Sequence, residues 1–257
     1  MANRRDNLGD RMKEYYEDRS KTYLTRRLPV IIRLDGCAFH TFTRGFDKPF
    51  DRILLETMQE TTVALCNSVQ GCVMGYTQSD EITLVLVDYK ELDTAAWYDY
   101  SVQKLCSVSA AMATMHFNRI FSRKVKEFAD MADESLHDLL MAYNHVDGKA
   151  IFDSRCFNIP REEVLNCVLW RIKDANRNSV NSLGQAWFSH KELQGKSISN
   201  VQDMLMEKFG INWNNLSNFE KTGTLVVKSD GGFSIEDVCI KCYTDLEKFC
   251  EDKGIII

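Results

Sequence analysis

The order in which two periodicities alternate constrains this chain more than any other feature. Val30-Ile31-Ile32-Arg33-Leu34 is a short β-branched run entered through Pro29 and closed by Asp35-Gly36, which predicts a strand. Apolar residues then recur at helical spacing from about Asp51 to Asn67, with Asp51 near the start and Gly71 as the stop. Cys72 to Thr77 and Glu81 to Val87 are two further strand-like runs, and Gln78-Ser79-Asp80 between them is turn chemistry, predicting a hairpin. A long helical pattern from Trp97 to Phe128 and a strand from Phe152 to Ile159, closed by Pro160, complete the series. Strand, helix, strand, strand, helix, strand is the split βαβ order of ferredoxin-like folds, an antiparallel sheet with helices on one face.

The flanking segments are mostly helical. A helix is expected from Leu8 to Tyr23, and after Pro160 from Glu162 to Lys173, Asp174 to His190 and Ser199 to Phe209. Thr224 to Val227 and Phe233 to Ile235, joined by Ser229-Asp230-Gly231-Gly232, predict a second hairpin. The fold class is therefore α+β, a ferredoxin-like βαββαβ core with a mainly helical C-terminal part. The expected division is residues 1–137 for the core and 138–257 for a C-terminal region that completes the sheet.

Composition excludes whole classes. With 44% hydrophobic and 27% charged residues the chain is an ordinary globular one, neither disordered nor fibrous. No window holds the run of about 18 apolar residues that a membrane span needs, and Met1 to Arg11 is polar, so an intracellular, cytoplasmic protein is expected. Nine cysteines in no repeating framework, with Cys37, Cys66, Cys72, Cys106 and Cys167 in apolar surroundings, read as reduced thiols. Cys239 and Cys242 have the gap of a zinc or redox pair but lack the further ligands, and read as core residues of a C-terminal helix.

A net charge of -5 means that any polyanion site must be local. The basic candidates are the start (Arg4, Arg5, Arg11, Lys13, Arg19, Lys21, Arg26, Arg27), the cluster Arg119, Arg123, Lys124, Lys126, and Arg171, Lys173, Arg177. Each is also an ordinary solvated helix face.

Chemistry enters where the strand order brings residues together. First and third strands are neighbours in this topology, so Asp35, ending one, meets Asp80, in the turn before the other. Paired carboxylates repel unless cations bridge them, and hard oxygen ligands suit Mg²⁺, which takes its remaining ligands from water and substrate phosphates. Glu81 adds a third carboxylate, and Gly36, lacking a side chain, lets its backbone approach an ion or a phosphate. Two ions about 4 Å apart are the arrangement of in-line nucleotidyl transfer. Asp-Gly and Ser-Asp-Glu are also common turn sequences; only their combination with this strand order points to metal.

The string Arg33-Leu34-Asp35-Gly36-Cys37-Ala38-Phe39-His40, then Lys48-Pro49 and Gly75-Tyr76-Thr77-Gln78-Ser79-Asp80-Glu81, resembles the signature of the tRNA-histidine guanylyltransferase family. So do Phe152-Asp153-Ser154-Arg155 and Glu220-Lys221-Thr222-Gly223-Thr224, so the resemblance spans about Met12 to Lys228. It implies a polymerase palm-like core that runs backwards, adding nucleotides to tRNA 5′ ends from ATP and GTP. It also implies two Mg²⁺ ions on Asp35, Asp80 and the Gly36 carbonyl, with Glu81 an essential neighbour. Nucleotide binding would fall to Asp35, Gly36, Cys37, Ala38, Phe39, His40, Lys48, Ser79 and Asp80, and the assembly would be a homotetramer, a dimer of dimers.

After the shared Trp170-Arg171 and Asp174 the family carries His-Ile-Asn-Asn-Leu-Tyr-Asn, linked to tRNA-histidine handling. Here the chain reads Asn176-Arg177-Asn178-Ser179-Val180-Asn181-Ser182. In this it is more similar to the family's guanylyltransferase-like branch, implied to repair truncated tRNA by templated addition. Arg155, Arg177 and Asn178 are the candidate tRNA contacts. A nucleotidyl cyclase shares the palm and the carboxylate pair, but its Gly-Gly-acid-acid-Phe hairpin is missing. The other alternative is addition of the extra guanosine to tRNA-histidine.

Overall fold

The computed structural model describes residues 7–229 and 231–255. Six strands, β1 (Val30–Gly36), β2 (Cys72–Gln78), β3 (Glu81–Leu86), β4 (Phe152–Asn158), β5 (Thr224–Ser229) and β6 (Gly232–Glu236), form one sheet. Their order is β4-β1-β3-β2-β5-β6, and every neighbouring pair is antiparallel. The first four reproduce the expected ferredoxin-like order, and the β5–β6 hairpin extends the sheet beyond β2. Asp230 of that hairpin, and Arg4 and Arg5 of the basic start, lie outside the described residues.

Among the described residues there are ten α-helices. They are α1 (Asn7–Met12), α2 (Phe39–Phe42), α3 (Arg52–Ser68), α4 (Val102–Ala129), α5 (His137–Val146), α6 (Arg161–Trp187), α7 (His190–Leu193), α8 (Ile198–Phe209), α9 (Asn218–Thr222) and α10 (Tyr243–Asp252). Asp51 caps α3 by accepting from the Leu54 amide at 2.8 Å. The Leu8 to Tyr23 pattern gives α1 and two short exposed helical turns ending at Ser20.

Helices cover both faces of the sheet, not one. Val30, Ile32 and Leu34 pack with Ile82, Leu84 and Leu86 beneath α3 and α4. Ile31, on the opposite face, packs with Val85, Val87 and Tyr76 against Val164, Val168 and Ile172 of α6 and Leu246 of α10. The unbroken apolar run Val30-Ile31-Ile32 is what a strand needs when both its faces are dry.

Two expected helices, 162–173 and 174–190, are one continuous α6. No Gly or Pro interrupts it there, and Asp174 braces the turn through ion pairs with Arg171 at 3.0 Å and with Arg177. Beyond the sheet, Val180 and Leu183 of α6 pack with Val201 and Leu205 of α8 as a small helical layer.

All nine cysteines are free thiols. Cys37 is exposed, and so are Cys239 and Cys242, which precede α10 rather than facing the core from it. Two members of the basic cluster on α4 are structural: Lys124 is buried between Glu56 and Glu60 at 2.8 Å each, and Arg123 pairs with Glu127 and Glu60. Among the described residues no helix is long and apolar enough to cross a membrane.

Candidate active site

The end of β1 and the β2–β3 turn meet. The Gly36 amide donates to the Asp80 carbonyl at 3.1 Å, and Asp35 pairs in register with Glu81. Ser79 takes the turn with φ 49°, and its hydroxyl donates to Asp80 Oδ1 at 3.1 Å. Burial, then the negative charges of Glu81 and Asp153, raise the Asp35 carboxyl above its ordinary pKa despite Arg155 and Arg33. Burial likewise raises Asp80, with the charges of Asp35 and Glu81 adding to it, against the opposing hydrogen bonds of its own amide and Ser79. Two carboxylates that burial and mutual repulsion both disfavour are what a hard cation relieves. Among the described residues no cluster of three or more His, Cys, Asp or Glu is arranged to hold a metal. A bare pair suits Mg²⁺, which leans on substrate phosphates, and not zinc.

Glu81 is placed differently from the two aspartates. Its carboxylate accepts from Arg33 at 3.1 Å, from Gln78 at 3.0 Å and from Arg171. Arg171 is 5% exposed and ties Glu81 to Asp174. Arg171, a candidate for a local polyanion site or a solvated helix face by sequence, is neither exposed nor unpaired. The signal that finds it is helical spacing, since Val164, Val168, Arg171 and Ala175 form one buried stripe of α6.

A cleft of about 490 Å³ opens beside the pair, lined by Gly36, Ala38, Phe39, His40, Lys48, Ser79 and Asp80 and, from α6, by Ser182. Apart from Asp35, Cys37 is the one nucleotide candidate that does not line it. Its amide donates to Ile151 at 2.8 Å and its thiol lies 3.9 Å from Asp153. Phe39 faces the core, stacked on Phe42 and edge-on to Phe117, so only its outer side meets the cleft. A Cβ at position 36 would lie 2.3 Å from the Phe39 ring, so Gly36 is required by packing as well as by access. Lys48 is exposed and makes no salt bridge among the described residues.

Ala175, Asn178, Ser179 and Ser182 of α6 also line a smaller pocket of about 150 Å³ with Pro49, Ser79 and Gly223. Gly223 has φ +75° and no room for a Cβ, which would stand 2.5 Å from the Tyr76 hydroxyl. The three tRNA candidates separate. Arg155 lies 3.7 Å from Asp35 and 3.2 Å from Asp153, whereas Arg177 and Asn178 both bond Asp174 on α6.

The sequence model of the tRNAHis guanylyltransferases (Thg1) matches residues 9–160, more than half of the chain. The chain belongs to the tRNAHis guanylyltransferase family. It is thus a nucleotidyltransferase. A solved bacterial tRNA(His) guanylyltransferase-like protein in complex with ATP is 36% identical, superimposes with a TM-score of 0.83, and is covered over 96% of this chain and 99% of its own. A second such structure, in complex with GTP, is 31% identical with a TM-score of 0.72, over the same shares. A protein of Acanthamoeba polyphaga mimivirus is 29% identical over 231 residues, 86% of this chain and 77% of its own length.

Proposed function

We propose that this guanylyltransferase-family enzyme adds nucleotides to the 5′ end of tRNA in the 3′-to-5′ direction, restoring truncated ends against the opposing strand as template. The observation that carries the reading is the meeting of Asp35 with Asp80 at the mouth of a cleft walled by Gly36, Ala38, Phe39, His40, Lys48 and Ser79. The bacterial relatives bound to ATP and GTP support nucleoside triphosphates as substrates. Family membership supports tRNA as the acceptor, and the altered stretch Asn176–Ser182 favours repair over tRNA-histidine handling.

Asp35 and Asp80 would hold two Mg²⁺ ions, with the Gly36 carbonyl on one of them. When bound, such ions neutralise phosphate charge and make a hydroxyl a better nucleophile. The chain's own residues bind and orient. Lys48 offers a mobile positive charge to the triphosphate, and Ser79 offers a hydroxyl donor. Glu81 acts on the site through Arg33 and Arg171, which fix the height of β1 and β3 against α6.

In this reading residues 1–137 form the palm-like catalytic region. Residues 138–257 complete the sheet and supply the tRNA contacts Arg155, Arg177 and Asn178. The assembly is a cytoplasmic homotetramer built as a dimer of dimers.

The test is incubation with labelled nucleoside triphosphate, with and without tRNA lacking its first 5′ nucleotide. Label should enter only with the RNA and at its 5′ end. Cyclic nucleotide made without RNA would overturn the reading. The family description favours one other activity, addition of a guanosine to full-length tRNA-histidine, and the same assay on that substrate separates the two.

A further inference from the structure

Arg33 and Arg155 stand directly opposite each other on β1 and β4, so both project to the sheet face that carries Asp35. Like charges in that register destabilise an antiparallel pair unless other groups engage them. Arg33 is engaged by Glu81; Arg155 reaches Asp153 and, at 3.7 Å, Asp35, and its side chain is 54% exposed.

Trp170 of α6 reaches this corner of the sheet, with its indole ring centroid 5.2 Å from the Arg33 guanidinium and 4.7 Å from that of Arg171. Trp170 is 53% exposed, although Leu169 and Arg171 on either side of it are buried. Both guanidiniums also grip the one Glu81 carboxylate, which fixes them beside the indole. The ring is thus held against two ion-paired arginines while about half of the residue stays exposed to solvent.

This flank is separate from the triphosphate cleft, whose lining includes none of Arg33, Arg155 or Trp170. On β1, Asp35 is followed by Gly36 of the triphosphate cleft and preceded two residues earlier by Arg33, whose guanidinium lies against the indole. Charge does not distinguish the second flank, because Glu81, Asp153 and Asp174 offset Arg33, Arg155 and Arg171. What distinguishes it is a rigid, flat apolar face, and stacking on such a face is how proteins take up an unpaired base of any sequence. We infer that Trp170 is the stacking platform for a base at the 5′ end of the RNA substrate, with Arg155 beside the phosphate next to Asp35. The inference rests on the RNA-end reading above and adds to it where the acceptor lies.

The test uses the full chain and a tRNA acceptor-stem RNA lacking its first 5′ nucleotide, with affinity read by fluorescence anisotropy and the KM for nucleoside triphosphate measured alongside. Trp170→Ala is expected to weaken RNA binding about tenfold, and Trp170→Phe no more than about threefold, given the usual size of base stacking on aromatics. The triphosphate KM should not change. The loss should be equal at low and high salt, because stacking releases no counterions. Unchanged RNA affinity in Trp170→Ala, or an equal loss on free triphosphate, overturns the inference while leaving wild-type transfer intact. A wild-type enzyme that neither binds nor extends the RNA end overturns the functional reading as well. Should Trp170→Ala fail to fold, the series Trp170→Phe, Trp170→His carries the same comparison: RNA affinity falling with ring area supports the platform, and a flat series overturns it.

Discussion

Asp35 and Glu81 lie directly opposite each other on β1 and β3, and their partners divide their roles. Glu81 is gripped by Arg33, Arg171 and Gln78, whereas the nearest cation to Asp35 among the described residues is Arg155 at 3.7 Å. Two carboxylates that neighbour each other across the sheet are thus a structural anchor and a candidate cation ligand. Replacing Glu81 by Gln leaves Arg171 buried with only Asp174 for charge. The expected cost is about 3 kcal/mol of stability, the usual penalty for breaking a buried pair. Urea denaturation measures it, with Mg²⁺ binding followed in parallel. Full stability with Mg²⁺ binding lost would instead make Glu81 an ion ligand.

Asp35→Ala and Asp80→Ala should each abolish nucleotide transfer and leave the fold intact. Activity within about tenfold of wild type, less than ~1.4 kcal/mol of transition-state stabilisation, would rule out the two-ion site. The metal-free enzyme gives an independent check. Burial raises the folded pKa of Asp80 above its ordinary value of 3.8, so the ionised side chain costs stability at neutral pH. That cost disappears as pH falls through the folded value, because the folded state then holds the proton more tightly than the unfolded state. Asp80→Asn should therefore raise the melting temperature near neutral pH, with the gain shrinking toward pH 4. Added Mg²⁺ should stabilise wild type and not Asp80→Asn. Equal stabilisation of both would place the ion elsewhere.

Much of this was legible in the sequence, for reasons that also explain the misses. Local signals found β1, the β2–β3 hairpin and the Asp51 cap, because a β-branched run, a Ser-Asp turn and an N-cap each act within a few residues. Asp35 and Asp80 came together on paper because strand order alone makes β1 and β3 neighbours. Arg171 and Trp170 were not found, since Glu81, the partner of Arg171, is 90 residues away in sequence, Arg33 against Trp170 lies on β1, and only the packing of α6 on the sheet joins them. The helices on the second face were missed because the ferredoxin-like order implies cover on one face only, although Ile31 between Val30 and Ile32 already asked for cover on both sides. The exposure of Cys37 was hidden because Cys37 and its apolar neighbour Ala38 lie in the turn before α2, and of the next residues it is Phe39, opening α2, that is buried.

Lys48→Ala should weaken triphosphate use without touching stability or Mg²⁺ binding. Lys48 is exposed, lines the cleft and holds no other residue in place among those described. Steady-state kinetics should show a raised KM for nucleoside triphosphate or for 5′-triphosphorylated RNA, and Lys48→Arg should recover part of it, because charge and not shape is what the phosphates read. An unchanged KM and rate on every triphosphate substrate would make Lys48 an ordinary surface lysine.

The proposed substrate choice is tested at Asn176–Ser182, in the C-terminal half of α6. Its residues are not a uniform polar face. Asn178, Ser179 and Ser182 line the pocket beside the triphosphate cleft, and Ser179 also accepts from the Trp213 indole at 3.0 Å. Asn178 is held by Asp174, and Arg177 points outward from the same carboxylate. On the proposed repair reading, the short amide and hydroxyl groups of that wall demand no one base. The opposing RNA strand would then select the incoming nucleotide. The expected outcome is that the enzyme restores the missing 5′ nucleotide on several truncated tRNAs, that changing the opposing 3′-strand base changes the nucleotide incorporated, and that tRNA-histidine holds no large advantage. Sequencing of 5′ ends extended with all four triphosphates reads this directly. Guanosine added only to tRNA-histidine, whatever base lies opposite, would return the enzyme to the family's namesake activity and leave the Asp35–Asp80 site as described.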